Sequence, residues 1–289
     1  MRILLDTDIG DDIDDALALA LALRSPDVEL VGVTTVFRDT GARARMARHL
    51  LDQFGRPDVP VYAGTGKPLI DPLPRVELEP QLTLTPPDVA HAASTHAVDI
   101  IRSTYASSGS DVTLVTIGPL TNLALALATD PSLAERIPRV VSMGGCVGRT
   151  TPEWNILCDA AAARVVLSAG LPLTLVPLDV TMETRMRPEH IDALNAVESG
   201  QIRWLMTLIA TWAGNTQNMP VLHDPLALAV ALQPGLVETE SLALDVVTSP
   251  GPGHGITCIV RDGRPPVDVA LRVDGPRFVD WFTAQLSAA

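Results

Sequence analysis

Six short runs rich in aliphatic and β-branched residues alternate with helical stretches, and this alternation constrains the fold more than any other feature. The runs are Arg2–Thr7, Val28–Val36, Pro60–Tyr62, Asp111–Ile117, Arg139–Met143 and Leu173–Leu178. Helical segments stand between or beyond them at Asp14–Arg24, Gly41–Phe54, His91–Ala106, Thr121–Thr129 and Ala160–Ala169. Strands apolar at nearly every position are buried on both faces, as in a parallel sheet covered by helices. The expected fold is α/β: a Rossmann-like, mostly parallel sheet flanked by helices, with right-handed crossovers. Gly64–Pro87 holds six prolines and reads as a long irregular excursion, the kind of segment that covers or builds a site. Pro188–Ala231 reads as mostly helical, Leu236–Val273 as three short β runs and Arg277–Leu286 as a closing helix. These are C-terminal helical and β-hairpin additions. With no Ser/Gly-rich linker and no fixed repeat, residues 1–289 read as one domain.

Charge narrows the partners. Thirty-four acidic residues against 21 basic ones leave a formal charge of −13 over 289 residues, which repels phosphate backbones and excludes a nucleic-acid polymer as partner. The longest apolar run, Ala16–Leu23, is far too short to span a membrane. The opening residues lack the pattern of a secretory signal, and three scattered cysteines without a CxxC read as reduced thiols. A cytoplasmic location is expected.

The strongest local signal is Asp6-Thr7-Asp8-Ile9-Gly10-Asp11-Asp12-Ile13-Asp14-Asp15, six carboxylates in ten residues between a buried strand and a buried helix. Helix dipole and capping offset roughly 1–2 kcal/mol of their repulsion; a bound cation offsets far more. Oxygen donors suit a hard divalent ion such as Ca²⁺ or Mg²⁺, while thiolate or imidazole clusters that suit zinc are missing. An EF-hand is excluded, because the loop follows a strand and has no Glu at its twelfth position. Two other helix starts share the design of Asp14–Ala20: Thr121–Leu127 and His223–Ala229. For each, the plain reading is a polar N-cap before a buried helix, and Pro225 supports it for Asp224. Ligands in open α/β sheets nevertheless bind beyond the carboxyl ends of strands, where the first two of these starts lie.

Four motifs in order then resemble the inosine-uridine-type nucleoside hydrolases, which cleave the N-glycosidic bond of nucleosides. They are Asp6-x-Asp8-x-Gly10 with Asp14-Asp15-Ala16; Ile117-Gly118-Pro119-Leu120-Thr121-Asn122; Met143-Gly144-Gly145 followed by Glu153-Trp154-Asn155; and His223-Asp224-Pro225. The likeness covers most of the chain. It implies a nucleosidase of nucleoside catabolism with a Ca²⁺ ion held by Asp8, Asp15, Asp224 and the backbone carbonyl of Ile117. It further implies Asp8 as general base for the attacking water, Asp14 and Asn155 on ribose hydroxyls, Glu153 on the 5′ side and His223 as acid for the departing base. A homo-oligomer, dimer or tetramer, is implied as well. The residue types make chemical sense: carboxylates stabilise an oxocarbenium-like state, a metal acidifies water, and an imidazole titrating near neutrality can protonate a leaving base.

Departures from the family pattern carry their own expectations. Asp11 and Asp12 lengthen the first loop, so either could replace Asp14 or Asp15 at the ion. Arg38-Asp39 stand where the family often has Gly-Asn, leaving Asp39 as a candidate acceptor for a sugar hydroxyl. Arg149 either pairs with Glu153 or admits an anionic group on the sugar. Trp154 and Trp212 are candidate walls for the base, although Trp204 and Trp212 also suit core packing. Two rival readings remain at this level. One is a non-catalytic nucleoside or sugar binder that keeps the metal site. The other is a Mg²⁺-dependent phosphatase with Asp6 as nucleophile, which would need a lysine over the phosphate; Lys67, in the excursion, is the only one.

Overall fold

Ile3, Leu4 and Leu5 are wholly buried, and the strand they form, β1 (Arg2–Thr7), has a parallel neighbour on each side. In the computed structural model, which describes residues 1–70, 72–74, 80–90 and 92–288, five more parallel strands surround it. They are β2 (Glu29–Thr35), β3 (Val61–Ala63), β4 (Val112–Thr116), β5 (Val140–Met143) and β6 (Leu173–Val176). Their spatial order is β3-β2-β1-β4-β5-β6, so the strand order reverses between β1 and β4, where open α/β sheets bind ligands. Four strands follow in the last third: β7 (Val237–Leu242), β8 (Leu244–Val246), β9 (Thr257–Ile259) and β10 (Val267–Val273).

The C-terminal β segment does more than append a hairpin. Strand β10 pairs in parallel with β6, and β7 pairs antiparallel with β10, extending the central sheet to eight strands. Only β8 and β9 stand apart, as a two-stranded antiparallel pair.

Helices cover both faces. They are α1 (Asp14–Arg24), α2 (Thr40–Gln53), α3 (Ala97–Thr104), α4 (Thr121–Thr129), α5 (Leu133–Arg136), α6 (Trp154–Cys158) and α7 (Ala160–Leu167). After β6 come α8 (Leu178–Thr181), α9 (Pro188–Asn195), α10 (Gly200–Thr216), α11 (His223–Leu232) and, after β10, α12 (Gly275–Ser287). One core joins α1, α2, α10, α11 and α12; the other joins α4, α7 and β8 on the opposite face. Helices α1 and α11 pack against each other and are apolar all round, with Ala16–Ala22 and Pro225–Ala231 buried.

The helix expected at His91–Ala106 starts later, at Ala97. Its first residue, His91, lies outside the described residues, and Ala93 donates its N–H to Val61 O at 2.9 Å, so this stretch extends the sheet edge instead. Part of the proline-rich excursion likewise lies outside the described residues. Among the described residues no helix is long and apolar enough to cross a membrane.

Candidate active site

The carboxyl ends of β1 and β4 open into a cleft of about 520 Å³. Its floor carries Asp8, Asp14, Asp15, Ile117, Asn155 and Asp224; its walls carry Met143, Pro152, Glu153, Trp154, Leu178, Trp212, Thr216 and His223, with Asp11 and Asp12 beside the floor. Residues from five separate parts of the sequence thus meet at one place.

Helices α1 and α11 deliver the acids, and they do not do so as caps. The N-cap positions are Ile13 and Leu222, neither of which makes a side-chain cap hydrogen bond. Asp14, Asp15 and Asp224 lie within the first helical turns, where the partial positive charge of both helix ends favours anions. One carboxylate oxygen from each of the three lies within 4.8 Å of the others. Asp14 Oδ2 accepts the Asp224 N–H at 3.2 Å, and Asp15 Oδ1 accepts from the Thr7 hydroxyl. Asp8 enters from the loop after β1. Its carboxylate occupies space left by Gly118, where a Cβ would lie 2.7 Å from Asp8 Oδ1. The Ile117 carbonyl, at the end of β4, accepts from Asn155 Nδ2 at 3.0 Å.

Electrostatics mark this floor as an anionic hole. Burial pushes Asp8, Asp14, Asp15 and Asp224 above the ordinary carboxylate range, and their mutual repulsion pushes the same way. Three convergent buried carboxylates, with Asp8 and the Ile117 carbonyl lining the same cleft, are hard oxygen donors that suit a divalent cation rather than a thiolate-type zinc site. Asp11 pairs with Arg43 Nη2 at 3.0 Å, Asp12 accepts from Ile13 N at 2.6 Å, and the acids that converge are Asp14, Asp15 and Asp224.

The remaining candidates fall into place unevenly. Glu153 is buried and caps α6: its Oε1 accepts from Asn155 N at 2.9 Å, its Oε2 from Gly145 N at 2.9 Å and Ile156 N at 3.1 Å. Trp154 and Trp212 both line the cleft, whereas Trp204 packs edge-on against His49 at 4.9 Å. His223 Nδ1 lies 2.6 Å from the Thr181 hydroxyl. Burial lowers this imidazole to about 4, so it rests neutral rather than titrating near neutrality. Asp39 is not brought to the cleft; it is exposed and caps α2, accepting from Ala42 N at 2.8 Å. Arg149 faces Asp179 at 3.8 Å, away from Glu153. Asp6, the nucleophile of the phosphatase reading, is wholly buried beneath the cleft, where Thr34 Oγ1 and Asn122 Nδ2 donate to its Oδ1 at 2.6 and 2.8 Å.

Several working residues are given no role by the sequence reading. Asp179 accepts from Val147 N and Gly148 N at 2.7 and 3.2 Å and so shapes the loop after β5. Asn122 ties β1, β2 and Thr65 together. Arg43, wholly buried, reaches under the acidic loop. A signal for Arg43 does exist: with Ala47 and Leu50 it falls on one buried stripe of α2.

Comparison with known proteins agrees with this geometry. The family model of inosine-uridine preferring nucleoside hydrolases matches residues 3–280. The pyrimidine-specific ribonucleoside hydrolase RihB of Escherichia coli is 32% identical, with 97% of this chain and 94% of the relative covered. Among solved structures, a purine-preferring ribonucleoside hydrolase from Gardnerella vaginalis superposes with a TM-score of 0.85 at 30% identity, covering 99% of this chain and 98% of that one. A plant nucleoside hydrolase, PpNRh1, reaches 0.88 at 26% identity, covering 100% and 99%. Fold and site thus define an N-glycosyl hydrolase acting on nucleosides. The chain belongs to the inosine-uridine preferring nucleoside hydrolase family, whose members depend on a metal.

Proposed function

We propose that this enzyme hydrolyses ribonucleosides to free base and ribose with a Ca²⁺ ion in the cleft floor and Asp8 as general base. The meeting of Asp14, Asp15 and Asp224 at two helix N-termini carries the reading. Asp8, Asp15, Asp224 and the Ile117 carbonyl would hold the ion, a hard cation that takes oxygen donors of this kind. When bound, it offsets the repulsion of the carboxylates and acidifies a water.

This chain's residues then do the rest. Asp8 takes the proton of the attacking water. Asp14 and Asn155 bind ribose hydroxyls, Glu153 faces the 5′ side, and the surrounding negative charge favours the oxocarbenium-like state. Trp154 and Trp212 flank the base. His223 is tied through Nδ1 to Thr181; in the tautomer that carries its hydrogen on Nε2, that nitrogen donates as negative charge grows on the departing base. Such acid assistance is worth roughly 10²–10⁴ in rate. By family analogy the reading extends to a cytoplasmic homo-oligomer, dimer or tetramer, which light scattering tests.

A base-release assay over purine and pyrimidine ribonucleosides, with and without chelator, is the decisive experiment. Release that stops on chelation and returns with calcium is expected. Turnover that survives thorough chelation would sink the metal role.

A further inference from the structure

Among the described residues Arg43 is the largest wholly buried side chain, and arginine is almost never fully buried unless its donors are spent on fixed partners. Those partners are remote from one another in sequence. Nε donates to Phe37 O at 2.7 Å, Nη1 to Asp8 O and, at 3.0 Å, to Ile9 O, and Nη2 to Asp11 Oδ2 at 3.0 Å. One guanidinium thus joins α2 to the loop after β1 and the loop after β2.

Both loops need holding. Phe37 and Arg38 sit in the left-handed region at φ 70° and 58°, a conformation that costs non-glycine residues energy and persists where surrounding bonds impose it. Arg43 supplies one such bond at the Phe37 carbonyl; Phe37 N and Arg38 N supply two more, to Thr65 O and Gly66 O at 2.8 Å each. On the other loop, the Asp8 carbonyl is fixed by Arg43 while the Asp8 carboxylate is confined against Gly118. Backbone and side chain of the same aspartate are therefore clamped from opposite sides.

We propose that Arg43 is a positioning residue for the reaction: its planar fork sets the aim of the Asp8 carboxylate at the ion and the attacking water, and Asp11 serves to lock the fork. This rests on the reading of Asp8 as ligand and base. A lysine cannot replace the fork, because a single ammonium has no rigid set of donors to span the Phe37, Asp8 and Ile9 carbonyls together.

The test compares wild type, Arg43→Lys, Asp11→Asn and the double variant by calcium titration calorimetry, far-UV circular dichroism and steady-state kinetics on a ribonucleoside that the wild type turns over. Partners one shell outside a metal site typically change affinity by about 10–100-fold. Arg43→Lys is expected to fold, to bind calcium at least about tenfold more weakly and to lower kcat even at saturating ion. Asp11→Asn is expected to show a smaller loss in the same direction, and no further loss when added to Arg43→Lys. A folded Arg43→Lys with wild-type calcium affinity and kcat overturns the proposal. If Arg43→Lys does not fold, an Asp11→Asn variant with wild-type affinity and kcat overturns it. A wild-type chain that turns over nucleoside but binds no divalent ion overturns the metal reading instead, and the calorimetry on wild type alone shows which has failed.

Discussion

A methyl group on Gly118 would lie 2.7 Å from Asp8 Oδ1 and 2.9 Å from Val36 Cγ1, closer than carbon atoms approach these groups. Gly118→Ala therefore has to displace the carboxylate on which the chemistry depends. Misplacement of a reacting group by about 1 Å costs on the order of 10²-fold, so steady-state kinetics of this variant should show kcat down by about that factor. Asp39 makes the contrasting case. It caps α2 by accepting from Ala42 N at 2.8 Å and stands outside the cleft. Asp39→Ala should cost about 1 kcal/mol of stability and leave kcat/KM within about twofold; a thermal melt and an activity assay on the same preparation check both. Residues of this kind also show where sequence reading stops. Asp8, Asp15 and Asp224 are legible as cleft residues because they sit in short motifs at strand or helix ends, although the plain reading of such an acid before a buried helix is a cap. Asp39 looks equally acidic and equally well placed, and only its exposure and its hydrogen bond reveal a capping role. The roles of Arg43 and Asp179 stay hidden because most of their partners are backbone atoms of other loops, which no local pattern specifies, even though the helical stripe marks Arg43 as buried.

At the scale of elements, the site is the meeting of two apolar helices. The run Ala16–Ala22 in α1 and the run Pro225–Ala231 in α11 are buried, so hydrophobic burial drives these helices together and brings their acidic first turns along with them. Both helices, the parallel strands and the order of elements are legible in the sequence, since runs apolar on every side have few places to go in a domain of this size. The insertion of β10 beside β6, with β7 beyond it, is not legible, because short strands broken by Pro and Gly fit an appended hairpin equally well. Packing opposes repulsion at this junction, and the balance can be measured. Asp224→Asn removes one of the clustered charges, so the chelated variant at pH 8 should melt higher than chelated wild type. The variant should also lose the rise that calcium gives wild type, which for a ligand at a hundred times its Kd is about 2.7 kcal/mol. Differential scanning calorimetry with chelator and with calcium measures both effects.

For the whole molecule, the buried acids couple folding to protons as well as to metal. Asp6 is raised from 3.8 to about 6 by burial, Asp8 from 3.8 to about 7 by burial and the charges around it, and Asp14, Asp15 and Asp224 in the same direction. A folded chain without metal therefore retains protons that the unfolded chain gives up near pH 4, so the folded state binds more protons across this range. These aspartates make stability fall as pH rises, from the unfolded value of 3.8 through at least about 7, while the buried His223, lowered from 6.5 to about 4, works the other way up to its unfolded value, so the fall stands out above about 6.5. This is the reverse of the usual carboxylate case, in which salt bridges depress the pKa and acid is what destabilises. A divalent cation changes the sign of the local field and favours the ionised forms, so the loss should shrink or vanish when calcium is present. Urea denaturation at a series of pH values between 5 and 8 separates the two regimes. Above about pH 6.5, where the unfolded-state imidazole of His223 no longer takes up protons, the midpoint in chelator should drop with rising pH, and the calcium-loaded midpoint should stay level or climb. A chelated chain whose midpoint climbs over the same interval would mean that these aspartates have other positive partners, and the floor of the cleft would then have no need of an ion.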